Sequence, residues 1–252
     1  MTDEAARAQV IKLARTLGVP VEQLAYLAEI PAADLRNFRF QVADLLFESQ
    51  SGGLRKVAAA AKVIPSQVIA KLVGRNRNAL LAARMAGVLE PSHAVDVAKR
   101  LPVDFLAEVA PLLDARRSAY LIAGLPTDTI VAVGKLLAQQ EDWITLGDLM
   151  AAVSDDAVRA AQQALDGTAL LRAAFLVDDA EHLERMVALV SEAKLVEMLR
   201  AAAEHDLWTE YRTTLGGLSD SALEVVRAAV DQLPPEHRER ALAEIADRRP
   251  AS

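Results

Sequence analysis

The sequence predicts an all-α fold, a solenoid-like array of short helices, and three observations indicate it. Leucines recur every twelve residues from position 89 to position 125, and each opens a segment of the same kind. The chain is 52% hydrophobic but only 4% aromatic, so its core must be mainly aliphatic and alanine-rich, a composition that favours helices over strands. No stretch alternates between apolar and polar residues as a half-buried strand would.

The first part of the chain predicts three helices. Apolar residues at three- and four-residue spacing predict an amphipathic helix over residues 4–17, a short helix over 21–28 and a longer one over 32–48. The expected buried face of the third helix consists of Leu35, Phe38, Val42, Leu45 and Leu46.

The run from Ser49 to Gly53 predicts a break after the third helix. We therefore divide the chain into an N-terminal helical lobe, residues 1–53, and a short-helix repeat array, residues 54–252. Near the start of the array, a helix that ends at Gly74 is expected to bury Val68, Ile69 and Leu72.

The repeats share a signal for starting a helix. Each opens with Leu or Val, followed by Pro, Asp or Ser. Asp or Ser can accept hydrogen bonds from the free N–H groups of a first turn, and Pro needs no partner there. Helices are therefore predicted just after Leu89, Leu101, Leu113, Leu125, Val153, Leu165, Val177, Leu218 and Leu233.

This register, from Leu89 to about Leu137 and more loosely from Val153 to Val190, resembles the helical N-terminal domain of MgtE-type magnesium transporters. The resemblance implies a right-handed superhelix of short helices and a regulatory role. The transmembrane helices and the nucleotide-binding CBS pair of those transporters have no counterpart here, so the resemblance does not imply transport.

The charge of the chain is unevenly distributed. The total is −7, yet residues 1–84 hold twelve basic and seven acidic residues, whereas residues 85–252 hold 16 basic and 28 acidic ones. No acidic residue lies between Glu48 and Glu90. The cations of this stretch are the candidate partner- or anion-binding set: Arg55, Lys56, Lys62, Lys71, Arg75, Arg77 and Arg84.

Three occupants could neutralise these cations. We favour the acidic C-terminal region of the same chain, followed by an acidic protein partner. An anionic lipid surface or a nucleic acid stays open, because Lys and Arg supply phosphate contacts.

No motif indicates an enzyme. The chain has no cysteine, phosphate-binding loop, dinucleotide fingerprint or nucleophile elbow, and we expect no catalytic residue, cofactor or metal site. Acids flank histidines at Asp178–His182 and Glu204–Asp206, where helix-capping or solvated acids are the expected interpretation. The absence of cysteine and of long apolar runs suits a cytoplasmic protein outside the membrane.

Three aromatic residues are candidates for an interface: Trp143, Trp208 and Tyr211. Trp208 and Tyr211 lie three residues apart and share a helix face, where they serve either as a core anchor, which we favour, or as an interface hot spot.

The function predicted from these patterns is a non-catalytic adaptor, scaffold or regulatory module that binds a protein partner. A small-molecule or lipid-binding sensor is one alternative. A DNA-binding regulator is another, because residues 14–40 allow a helix-turn-helix with Arg36, Asn37 and Arg39 on its recognition helix. A homodimer stays open.

Overall fold

The structure, a computed structural model, describes residues 4–247 apart from the side chains of Gln50 and Ser51. This part of the chain is all-α, as predicted, and contains no strand. The α-helices are α1 (Glu4–Leu17), α2 (Ala32–Ala61), α3 (Ser66–Asn76), α4 (Ala79–Ala86), α5 (Pro91–Ala98), α6 (Val103–Val109), α7 (Ala115–Gly124), α8 (Thr127–Gln139), α9 (Trp143–Ala152), α10 (Asp155–Ala164), α11 (Gly167–Phe175), α12 (Ala180–Leu189), α13 (Glu192–Glu204), α14 (Trp208–Gly216), α15 (Asp220–Val230) and α16 (Pro235–Ala246). Two 3-10 helices cover Val21–Glu29 and Ala110–Leu112.

The predicted register of helix starts is confirmed. Eight helices begin two residues after the leading Leu or Val, namely α5, α6, α7, α8, α10, α11, α15 and α16. α12 begins three residues after Val177. Side-chain caps account for several of these starts. The Asp114 carboxylate, for example, accepts hydrogen bonds from the N–H groups of Arg116 and Arg117 at the start of α7.

The break predicted at residues 49–53 is wrong, because α2 continues from Ala32 to Ala61. Gly52 and Gly53 lie inside this helix, and each costs about 1 kcal/mol relative to alanine. The residues that follow, which end in the four alanines 58–61, favour a helix strongly enough to offset that cost. The predicted lobe boundary therefore falls within a continuous helix.

The chain divides into two compact units. One unit consists of the chain up to Val42 together with the chain from Leu165 onward, and the other is Ala43–Ala164. In the second unit each helix packs on the helix two positions further along. α3 packs on α5, α5 on α7 and α7 on α9, while α4 packs on α6, α6 on α8 and α8 on α10. Such neighbour-to-neighbour packing is typical of helical repeats.

The first unit combines the two ends of the chain. α1 packs on the first 3-10 helix and on α14, α11 packs on α13 and α14, and α16 packs on α14 and α15. Its largest fully buried side chains include Leu13, Leu170, Leu215, Leu223 and Leu233. Among the described residues, no helix is both long and apolar enough to cross a membrane.

Candidate functional site

The seven predicted cations lie on three successive helices and the short links between them, and all seven are exposed. In chain order they are Arg55 and Lys56 in α2, Lys62 before α3, Lys71 and Arg75 in α3, Arg77 after α3, and Arg84 in α4.

Two of the seven cations have carboxylate partners. Arg77 Nη2 lies 2.5 Å from Glu108 Oε1 and 2.9 Å from Asp104 Oδ2. The hydrogen bonds to Glu108 and Asp104 raise the pKa of Arg77 above its ordinary value. Arg55 Nη2 lies 3.0 Å from Glu48 Oε2, which is two turns earlier on the same face of α2. Within the described residues, neutralisation by the acidic part of the chain therefore accounts for Arg77 but not for the rest of the set.

The other five cations make no hydrogen bond or ion pair with the described residues: Lys56, Lys62, Lys71, Arg75 and Arg84. Asp44, the carboxylate that precedes Glu48 in sequence, is already occupied. Asp44 Oδ1 accepts hydrogen bonds of 2.9 Å from Arg116 and from Arg117, and these bonds lower the pKa of Asp44. The positive charge of these five side chains is therefore directed at solvent.

Large apolar side chains are exposed along the same helices, against the sequence prediction. Leu45 is 71% exposed, Val63 87% and Leu72 62%. Phe38, Leu46 and Val68 are exposed as well, so five residues expected in the core lie at the surface, Leu45 and Leu72 included, whereas Leu35 is buried as expected. In α3 and α4 the buried positions are alanines, Ala70 and Ala83, and small side chains there allow close approach between helices.

A contrast between a buried alanine and exposed large residues is clearest in α3. In α3, Ala70 is buried, while Val68, Lys71, Leu72 and Arg75 are exposed. These four positions follow the spacing i, i+3, i+4 and i+7, so they share one helix face. That face combines two apolar side chains with two cations.

The neighbouring helices show the same arrangement. In α2, Ala58 and Ala61 are buried whereas Lys56 and Val57 are exposed. In α4, Ala83 packs against Phe105 and Val109, and the exposed side chains are Leu80, Leu81 and Arg84. We call residues 45–84, with their exposed apolar and cationic side chains, the basic–apolar segment.

Phe47 packs the α2 part of this segment against Gly87 and Arg117 of the same unit. The guanidinium of Arg117 lies 4.1 Å from the centroid of the Phe47 ring. The backbone of Gly87 approaches the same ring so closely that a Cβ there would lie 2.9 Å from it. Cation–π contact and close packing together hold the helix at this point.

The aromatic candidates do not belong to an exposed interface. Trp208 and Tyr211 are buried, and their rings form an edge-to-face pair with centroids 6.1 Å apart. Burial raises the pKa of Tyr211. In this structure the pair therefore belongs to the buried core of its unit. Trp143 is half-buried at the start of α9.

Asp178 is the centre of a partly buried ion-pair network that sequence reasoning missed. Lys12 Nζ lies 3.0 Å from its Oδ1, and Arg39 Nη2 lies 2.6 Å from its Oδ2. Gln9 Nε2 donates a 2.8 Å hydrogen bond to Oδ1. Burial by itself would raise the pKa of Asp178, but the charges of Lys12 and Arg39 and the bond from Gln9 lower it. The neighbouring Asp179 caps α12, as expected.

This network involves residues of the DNA-binding alternative. Arg36 Nη1 donates a 2.7 Å hydrogen bond to the backbone oxygen of Asp178, and the Arg39 side chain is bonded to its carboxylate. Two of the three side chains proposed for base recognition are thus held within their own unit, while Asn37 is exposed.

Acidic and histidine side chains form no cluster of three or more that could hold a metal ion within residues 4–247. No family model matches the sequence, and no curated protein or solved structure matches it either. The class of protein that the fold and the surface define is therefore an all-α protein with an exposed basic and apolar face. The resemblance to the transporter domain stays a prediction.

Proposed function

We propose that this protein is a non-catalytic helical-repeat module that binds a protein partner through the basic–apolar segment, in an adaptor, scaffold or regulatory role. The observation that carries the proposal is the coincidence, on α2, α3 and α4, of five unpaired cations with exposed large apolar side chains. Protein interfaces combine an apolar centre with a polar rim in the same way.

The composition of the segment favours a protein over a nucleic acid. Single-stranded nucleic acids are held by aromatic side chains that stack on bases, and the one aromatic residue of the segment, Phe47, packs under Arg117. Phosphate contacts also need no apolar neighbours, whereas here Leu72 and Val68 lie beside Lys71 and Arg75 on α3. Burial of one large apolar side chain contributes about 1.5–3 kcal/mol, which a protein partner can supply.

The path of the helices is part of the proposal. We propose that the helices follow the right-handed superhelix that the transporter resemblance implies, in a protein of the cytoplasm. The alternation of packing in Ala43–Ala164 supports this, because each helix contacts its second neighbour as in helical-repeat proteins. Repeats of this kind present extended surfaces that suit peptides and proteins.

The test is a double charge reversal, K71E/R75E. Partners cross-linked in host cells would be identified, purified and titrated against the wild type and the variant by calorimetry. We expect at least a tenfold loss of affinity, since like charges at an interface are strongly unfavourable. The matched control is K99E/K135E, which changes the charge equally at two exposed lysines that have no partner among residues 4–247.

The melting temperature of both variants should stay close to that of the wild type, because exposed unpaired side chains change stability by no more than about 0.5 kcal/mol. If no purified candidate binds, or if K71E/R75E binds as tightly as K99E/K135E does, the proposal is wrong.

A further inference from the structure

We infer that the basic–apolar segment binds the last two helices of a second copy of this chain. The inference rests on the proposed function, because it names the partner of the same surface. The proposed contact joins two different patches of identical molecules.

Exposed large apolar side chains are unevenly distributed over the described chain. Most lie at or before Leu81, and beyond that position there are three: Leu112, Val225 and Leu242. Val225, 44% exposed, is on α15, and Leu242, 40% exposed, is on α16. The long stretch from residue 113 to residue 224 has none within the described structure. Besides Leu112 and the four at positions 17–38, the exposed large apolar residues thus lie in the basic–apolar segment and on α15 and α16.

The second of these parts carries the opposite charge. We call α15 and α16, with Asp231 that ends α15, the acidic helix pair. Asp231, Glu236 and Glu239 are exposed and have no hydrogen bond or ion pair with the described residues. Glu239 and Leu242 lie three positions apart on α16, so a carboxylate and an apolar side chain share one face.

The packing of each part leaves one side without a neighbour. α15 and α16 pack on each other, on α13 and on α12 or α14 through buried residues such as Leu223, Val226 and Ile245. Their outward positions include Val225 and Leu242. Exposed apolar side chains rimmed by charged ones are typical of surfaces that bind a protein.

Charge decides between the two ways in which identical copies can meet. A contact of the basic–apolar segment with its own equivalent would bring Lys71 and Arg75 near the same cations of the second copy, which is unfavourable. A contact with the acidic helix pair instead places Lys71 and Arg75 near Glu236 and Glu239, and Leu72 near Leu242. Such a contact joins two different patches, so it forms either two reciprocal contacts in a two-fold dimer or a chain that adds further copies.

The experiment is sedimentation velocity of the full chain over a concentration series at low and high salt. Wild-type protein should form larger species as concentration rises, and salt should weaken them, because exposed charges are screened. Two variants reverse one side each: K71E/R75E on the basic–apolar segment and E236K/E239K on the acidic helix pair. Each variant alone should associate at least about tenfold more weakly, since its two patches now have like charges.

The mixture of the two variants is the decisive sample. The reversed segment of K71E/R75E is complementary to the reversed helices of E236K/E239K, and the two unaltered patches are complementary as well. An equimolar mixture should therefore recover association that neither variant shows alone. K99E/K135E should behave as the wild type does, and circular dichroism melts would show that all variants are folded.

Three results would overturn the inference: a wild type that remains monomeric at every concentration, association that both variants retain, or a mixture that fails to recover it. These results differ from failure of the proposed function. A monomeric wild type whose purified partner is still lost on K71E/R75E substitution would leave the proposed function in place and assign the segment to a different protein.

Discussion

Two groups of cations in this chain have opposite surroundings. Lys12 is only 2% exposed, and together with Arg39 it is bound to the Asp178 carboxylate. Lys71 and Arg75 are exposed on α3 and have no partner within the described residues. The first group is required by the fold, because a buried charge must be paired. The second group contributes little to the fold, so it is available to a partner.

The largest expected effect on stability comes from the D178N substitution, which removes the carboxylate that pairs with Lys12 and Arg39. Because Lys12 would lose its carboxylate while it stays buried, we expect the free energy of unfolding to fall by about 3–5 kcal/mol. Urea unfolding at neutral pH would measure the loss. The control is D96N, which alters an exposed carboxylate that has no partner among residues 4–247 and should change stability by no more than about 0.5 kcal/mol.

The D178N variant also tests how the contribution of Asp178 to stability depends on pH. Since the folded-state pKa of Asp178 is lowered, its stabilising contribution is present above the unfolded-state value of about 3.9 and is lost as the pH falls through the folded-state pKa. The difference in stability between the wild type and D178N should therefore shrink in acid. A difference that stays constant down to strongly acidic pH would contradict this assignment.

Glycines of this chain differ in how much space an added Cβ would find. A Cβ at Gly167 would lie 2.7 Å from the backbone carbon and oxygen of Glu197 in α13. G167A should therefore destabilise the protein by about 1–3 kcal/mol, because backbone atoms must move apart. Thermal unfolding followed by circular dichroism would measure it. G134A is the matched control, since a Cβ there meets Leu146 at an ordinary 3.6 Å; equal losses in both variants would refute the steric explanation.

The smallest expected effect is a gain in stability rather than a loss. Gly52 and Gly53 lie inside α2, and a Cβ at either position would meet no atom within 4 Å. Replacement by alanine should stabilise the protein by about 0.5–1 kcal/mol per site. Thermal unfolding of G52A, G53A and the double variant would show it as a stepwise rise in melting temperature. A fall would mean that this stretch of α2 is not helical in solution.

The helix starts could be predicted from the sequence because their causes are local. Asp114, Asp166 and Ser219 each accept hydrogen bonds from N–H groups two or three residues further on. Residues so close in sequence are close in any helical fold. The same local character explains why Pro126 correctly marks the start of α8.

The exposed surface and the buried ion pairs could not be predicted in this way. Leu72 and Ala70 both satisfy a helical pattern, and which of them is buried depends on how closely the neighbouring helix approaches. Asp178 looks like one of two capping acids, while Gln9, one of its partners, lies 169 residues away in sequence. The five solvent-facing cations were identified from the sequence, but their unpaired state depends on long-range placement that no local pattern carries.

The division of the chain also sets an order for its synthesis. The unit that holds α1 needs the chain from Leu165 onward, whereas all of Ala43–Ala164 emerges from the ribosome before that point. At about 5–20 residues per second, the nascent helix α1 waits on the order of ten seconds for α14, its packing partner. During that interval Val10 can already pack on Ala28 and Leu35, whereas the side of α1 that contacts α14 keeps its apolar surface exposed until α14 is synthesised.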